Sequence, residues 1–330
     1  MEKLDLQLFS KYKTELMGIS AIAIIACHSV VEGVIFPSYL RHILALGNAG
    51  VDVFLFLSGM GMYFSLQKKE LLSVWYKKRF QRILLPYFFI TIPYWMYYSI
   101  SRNSGFVDFL LNVSTLGYWK SHYGAWYVAL LLQLYLFTPI IANFIERFKR
   151  RIVISLCIAI LIFVLSENVK FSSGNSLLDT IIVNFQLAYR RAPMYILGYA
   201  VAPYIKKGIK VSYAWIVLFL LLQIVMAIIP FMCEWQRYWI IAFPIMMISV
   251  WIFEKHMQVL SVVCKWFGLI SLESYLTNVF ISYSLKEIPA ISNSDGIFYG
   301  NYFYYLLVIV LGLMASVATN KIVLQISKHL

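Results

Sequence analysis

His28 and Glu32 stand four residues apart in an apolar run, so a helix sets both on one face. An imidazole titrates at about 6.5 when unperturbed, and so takes and returns a proton at neutral pH. A nearby carboxylate can orient such a ring and stabilise its cation. Asp52, Glu273 and the Arg190–Arg191 pair also interrupt apolar sequence. An ionisable group at a bilayer centre costs about 2.5–3.5 kcal/mol on insertion scales, and by default marks a functional interior. Each has a plainer reading. His28 serves as a structural hydrogen-bond partner, and Glu32 sits in outer headgroup water. Asp52 caps its helix, where free amides and the positive dipole end favour a carboxylate. Arg190 and Arg191 meet outer headgroups or a polar substrate. Glu273 is harder to dismiss: about eight residues separate it from Lys265, and its side chain is short. A basic or hydroxyl partner inside a helical bundle is expected for it.

A second constellation is the basic segment 67–83, QKKELLSVWYKKRFQRI. Its charge alone fits a lipid-facing anchor. Arg79 and Arg82 add something more specific. Three residues apart, they share a helix face, and their planar guanidinium groups can fork onto phosphate oxygens. Ser58 lies beside Gly59 and Gly61 in a small-residue stretch that suits close helix packing. No His or Asp adjoins Ser58 in sequence, so it is not expected to be a nucleophile.

The elements that position these groups must lie in a membrane. Of 330 residues, 61% are hydrophobic and 13% charged, with mean hydropathy +0.76. A soluble domain carries about a quarter charged residues. The apolar excess runs end to end, which excludes a soluble enzyme on a single anchor. A spanning helix needs about 20 apolar residues. Ten candidates are expected, at about 16–36, 48–66, 83–101, 124–143, 152–166, 183–204, 213–231, 237–253, 266–285 and 302–320. The fold class is therefore all-α: one polytopic membrane bundle, 1–330, with no second domain. Twenty of the 28 Lys and Arg residues fall on one side of this topology, which makes that side and both termini cytoplasmic. An odd number of spans cannot place both termini there. The net charge of +13 is then mostly topology, and no nucleic-acid partner is expected. Segment 102–123 reads as partly re-entrant or interfacial. The four cysteines lack metal-ligand spacing, so no metal is expected. Exposed apolar surface is normal in lipid and carries no oligomer signal.

Five segments, in order, resemble acyltransferase family 3, the polytopic membrane O-acyltransferases. They are ELMGISAIAIIACHS (15–29), GNAGVDVFLFLSGMGMYFS (47–65), YKKRFQRILLPYF (76–88), AWYVALLLQLYLFTPII (125–141) and GLISLESYLTNVF (268–280). The resemblance implies transfer of an acyl group, most simply acetyl, from cytoplasmic acyl-coenzyme A to a hydroxyl. The acceptor would be an exported or cell-surface glycan or glycolipid at a bacterial inner (plasma) membrane. It implies that His28 is the catalytic histidine and that Arg79 and Arg82 contact the donor. Two positions depart from the family pattern. Met17 stands where a basic residue often precedes the histidine by eleven, and Asn278 stands where a second histidine is frequent.

On this reading His28 removes the acceptor proton, and Glu32 or Glu273 orients the ring. Ser58, Tyr127 or Tyr275 donates to the developing oxyanion, and Arg190 and Asn278 join them as substrate contacts. From Leu16 to His28 a helix rises about 18 Å, comparable with a pantetheine arm. The alternative is a proton-coupled transporter or exporter of a carboxylate or lipid-linked sugar, gated by His28, Glu32 and Glu273. The arginine pair favours the enzyme, because coenzyme A brings phosphates to the cytoplasmic face.

Overall fold

The computed structural model describes residues 3–168, 172–228, 234–288 and 302–329, whose regular elements are helices apart from one two-stranded ribbon. The chain opens with β1 (Lys3–Asp5) and α1 (Gln7–Lys11), then α2 (Lys13–Val31), the helix of His28. Next come α3 (Ser38–Ala45), a 3₁₀ turn, α4 (Ala49–Leu66) and α5 (Leu72–Ser101). Two short helices, α6 (Phe106–Val113) and α7 (Leu116–Ser121), occupy the segment expected to be interfacial. Phe106 and Val107 are exposed there, whereas Tyr118 and Trp119 are buried. The second half contains α8 (Trp126–Glu146), α9 (Arg151–Asn168), α10 (Ser176–Tyr189), α11 (Ala192–Lys206), β2 (Lys210–Ser212) and α12 (Ala214–Ile228). It ends with α13 (Glu234–Lys255), α14 (Gln258–Leu269), α15 (Ser271–Lys286) and α16 (Tyr302–Ser327).

The helical membrane bundle agrees with the sequence, but the count of ten spans does not. Among the described residues, five stretches are long and apolar enough to cross a bilayer: Lys13–Val31, Ser38–Leu66, Leu72–Ser101, Trp126–Glu146 and Tyr302–Ser327. The pair α14–α15, bent by 66°, makes a sixth if taken as one broken span. The physical reason is local. The expected span 183–204 breaks at Arg190–Arg191, where Arg191 turns inward and Pro193 starts a new helix in its tolerated first turn. The expected span 266–285 breaks at Ile270, between α14 and α15. The spans expected at 152–166 and 213–231 yield shorter apolar helices, Arg151–Ser166 and Ala214–Val225. Residues 229–231 of the second of these, and most of the expected loop 286–301, lie outside the described residues.

α4 is buried along almost its whole length, which suits its apolar residues on every face. It packs on α11 and α2, and α2 packs on α14. Glycines permit both tight crossings. A Cβ on Gly59 or Gly198 would collide with the backbone carbonyl of Tyr195 or Phe56 across the α4–α11 contact. Gly18 and Gly268 face Cys264 and Thr14 in the same way across α2–α14. This is small-residue packing, as expected of Gly59. Gly61 does something else: its missing Cβ leaves room for the Lys13 ammonium.

α15 and α16 are joined by polar contacts. Asn320 donates to Glu273 at 2.9 Å, Thr277 meets Ser316 at 2.8 Å, and Ser282 meets Tyr304 at 3.0 Å. In an apolar surround such bonds fix one helix against another. β1 pairs antiparallel with β2, so Asp5 lies opposite Lys210. Lys13 at the start of α2 and Ser327 at the end of α16 border one cavity, which sets both chain ends at the same end of the bundle as Arg79 and Arg82.

Candidate active site

That cavity has a volume of about 540 Å³ and runs between α2, α4, α5, α8, α15 and α16. Its basic end holds Lys13, Lys78, Arg79 and Arg82. Lys78 is held by Glu70 at 2.8 Å. Lys13, Arg79 and Arg82 form no ion pair with a described residue, and the buried Nε of Arg79 has no hydrogen-bond partner among them. The three side chains come from two helices. Arg79 and Arg82 share a face of α5, as their spacing predicts, and Lys13 begins α2. Three such cations, none in an ion pair with a described residue, fit a polyphosphate.

From the basic end the lining becomes less charged. Met17 and Ile24 follow Lys13 up one face of α2, and Ser58, Tyr127, Leu131, Tyr135 and Tyr275 close around them. The rings of Tyr127 and Tyr275 meet edge to face, with centroids 5.6 Å apart. His28 stands one helical turn beyond Ile24. Its ring centroid is 6.4 Å from that of Tyr275. From Lys13 to His28 the helix rises about 22 Å, so one helix carries both the basic end and the imidazole.

The imidazole's hydrogen-bond partner is Asn278, whose Oδ1 lies 2.6 Å from Nδ1. Asn278 in turn reaches the Tyr305 hydroxyl at 3.3 Å, and Tyr305 contacts the backbone carbonyl of Ile25. The two carboxylates expected near the ring are engaged elsewhere. Glu32 pairs with Lys286 at 2.7 Å, and Glu273 lines the cavity while accepting from Asn320. The partner expected for Glu273 is therefore an amide rather than a base or hydroxyl.

Asp52 does not end its helix as a cap. Asn48 holds that place, and the Asp52 carboxylate forms a fully buried ion pair with Arg191. Arg190, expected as a substrate contact, sits at the α10–α11 break and is mostly buried, outside the cavity lining. The structure thus brings Arg79, Arg82, Ser58, Tyr127, Tyr275 and Glu273 to one cavity, with His28 and Asn278 beside it. It leaves Glu32 and Arg190 apart.

Three polar residues of this region escape the sequence reading: Lys13, Tyr305 and Asn320. Lys13 carries a legible signal, since it precedes Met17 by one turn and His28 by fifteen residues on the same face. Tyr305 and Asn320 have none, because a Tyr or Asn in an apolar helix looks like any other until a neighbour is placed. Among the described residues no group of three His, Cys, Asp or Glu gathers as a metal site would require.

A family model described as an acyltransferase domain matches residues 16–321 of the chain. No curated protein and no solved structure matches it.

Proposed function

The chain belongs to acyltransferase family 3, whose domain covers all but its two ends, and from that premise we propose that it moves an acyl group from cytoplasmic acyl-coenzyme A to a hydroxyl of an exported or cell-surface glycan. Acetyl is the simplest group, and the plasma membrane of a bacterium is the proposed location. The observation that carries this reading is the continuity of one cavity. It begins at three cations that form no ion pair among the described residues and ends at Ile24 and Tyr275, the neighbours of His28.

Lys13, Arg79 and Arg82 take the donor's phosphates. The pantetheine arm follows the face of α2 past Met17, and the thioester comes to rest near Tyr275. The acceptor hydroxyl enters from the outer side and gives its proton to His28. Its oxygen attacks the thioester carbon, the C–S bond breaks, and the departing thiolate recovers the proton from the imidazolium. Asn278 holds the ring. Ser58, Tyr127 or Tyr275 donates to the oxyanion, where a single well-placed donor lowers the barrier by about 3–4 kcal/mol. Glu273, held by Asn320, faces the path of the arm and is not the ring's partner.

The test uses cells producing His28→Ala at wild-type protein level. Mass spectrometry of surface glycans is expected to show loss of one acyl group, a fall of about 10²–10⁴-fold as for removal of a general base. Unchanged acylation overturns the assignment. Binding of coenzyme A to the purified protein separates this reading from a transporter. Thermal stabilisation by millimolar coenzyme A is expected, and its absence together with substrate uptake into vesicles favours transport.

A further inference from the structure

An asparagine amide can offer a histidine either an acceptor or a donor, and the choice decides which ring nitrogen is the base. Here the choice is made one residue further away. Tyr305 has a single hydroxyl proton, and its oxygen contacts the backbone carbonyl of Ile25. A carbonyl only accepts, so the phenol proton is committed there. The Tyr305 oxygen then has only lone pairs to offer, and the Asn278 amide 3.3 Å away must present its NH₂. That turns Oδ1 toward His28 Nδ1, 2.6 Å distant. Two acceptors do not bond, so Nδ1 carries the ring proton and Nε2 keeps its lone pair.

The chain of bonds closes on itself. Ile25 and His28 belong to the same stretch of α2, Asn278 to α15 and Tyr305 to α16. Asn278 and Tyr305 are both buried, at 4% exposure, so water does not compete well for either. Glu32, one turn further along α2, is occupied by Lys286. We propose that Tyr305 and Asn278 are positioning residues that lock His28 in the Nδ1–H tautomer and so make Nε2 the general base. The tautomer follows from the hydrogen bonds alone; its kinetic consequence rests on the acyl-transfer reading above.

The experiment uses the full chain in lipid bilayers with ¹⁵N-labelled histidine, and assigns the His28 signals by difference from His28→Gln. Wild-type protein is expected to show a protonated Nδ1 and an unprotonated Nε2. Tyr305→Phe frees the amide to turn over and should give a mixture of tautomers. Its kcat should fall about tenfold, a fraction of the roughly 10²–10⁴-fold a positioned base supplies, with KM for acyl-coenzyme A unchanged. Asn278→Asp, which can only accept when ionised, should keep the Nδ1–H tautomer, and Asn278→Leu should lose it. A wild-type ring protonated on Nε2 overturns the proposal, and so does a Tyr305→Phe spectrum identical to wild type. The spectra need no substrate, so they stand if the chain proves to catalyse something else. The His28→Ala assay tests the reaction by itself.

Discussion

Charge is handled in opposite ways in two regions of the bundle. Around the His28 end of the bundle it is paired: Glu32 with Lys286 at 2.7 Å, Glu287 with Arg102 at 3.0 Å, and the buried Asp52 with Arg191. At the opposite end, in the cavity, Lys13, Arg79 and Arg82 gather without an ion-pair partner among the described residues, and the carboxylate that shares their cavity, Glu273, is satisfied by an amide. A paired charge in an apolar interior fixes helices. A gathering of like charges opposes folding and persists where a ligand supplies the missing anions. The first kind of site should therefore be read in stability and the second in binding.

The largest effect should come from the buried pair. Arg191→Ala leaves the Asp52 carboxylate alone among apolar side chains, and should cost about 3–5 kcal/mol of stability or abolish accumulation of folded protein. Replacing both together, Asp52→Leu with Arg191→Met, should recover most of that loss in detergent unfolding. If the double variant is as damaged as the single one, the pair does more than join α4 to α11.

The basic end should respond the other way. Arg79→Ala and Lys13→Ala each remove charged hydrogen bonds worth about 1.5–3 kcal/mol, so each should weaken coenzyme A binding by about ten- to a hundredfold. Their melting temperatures without ligand should stay level or rise, because repulsion is relieved. Weakened binding that only follows lost stability would erase the contrast between the two regions.

Two of the glycines of α4, Gly59 and Gly61, extend the contrast. Gly59→Ala drives a methyl into the Tyr195 carbonyl and should destabilise by about 1–3 kcal/mol. Gly61→Ala meets only the flexible end of Lys13, and should keep stability while reducing coenzyme A affinity. The smallest effect belongs to the exposed pair Lys11–Glu254 at 2.6 Å. Lys11→Ala should cost less than about 1 kcal/mol. The bond to Glu254 holds the Lys11 ammonium above its ordinary pKa. Its small stabilisation is thus complete below the ordinary lysine value and is lost as pH rises through the raised one, which alkaline melts would detect.

Much of this was legible in the sequence wherever one residue type carries one meaning. Apolar runs give the helical bundle, the basic asymmetry gives both ends one face, and the spacing of Arg79 and Arg82 gives their shared face. What stayed hidden depends on partners far away in the chain. The break at Arg190–Arg191 exists because Asp52, on another helix, draws Arg191 inward; hydropathy sees only two charges in an apolar run. The Asn278 environment depends on Tyr305, 27 residues on, and on a carbonyl of α2. Spacing along one helix pointed from His28 to Glu32, whereas Lys286, remote in sequence, holds that carboxylate. The span count failed for a related reason: one expected run breaks at Arg190–Arg191 and another at Ile270, and two more give helices shorter than a span.

On the proposed reading the three cations and the imidazole share one path. An acyl-coenzyme A with a photoreactive group at the end of its acyl chain, applied to the cytoplasmic face of membrane vesicles and then illuminated, reads that path directly. Labelled peptides are expected to contain Ile24–His28 and Ser271–Asn278, with loss of labelling in Arg79→Ala and in excess coenzyme A. Labelling confined to the basic segment 67–83, with none on α2 or α15, would contradict the account.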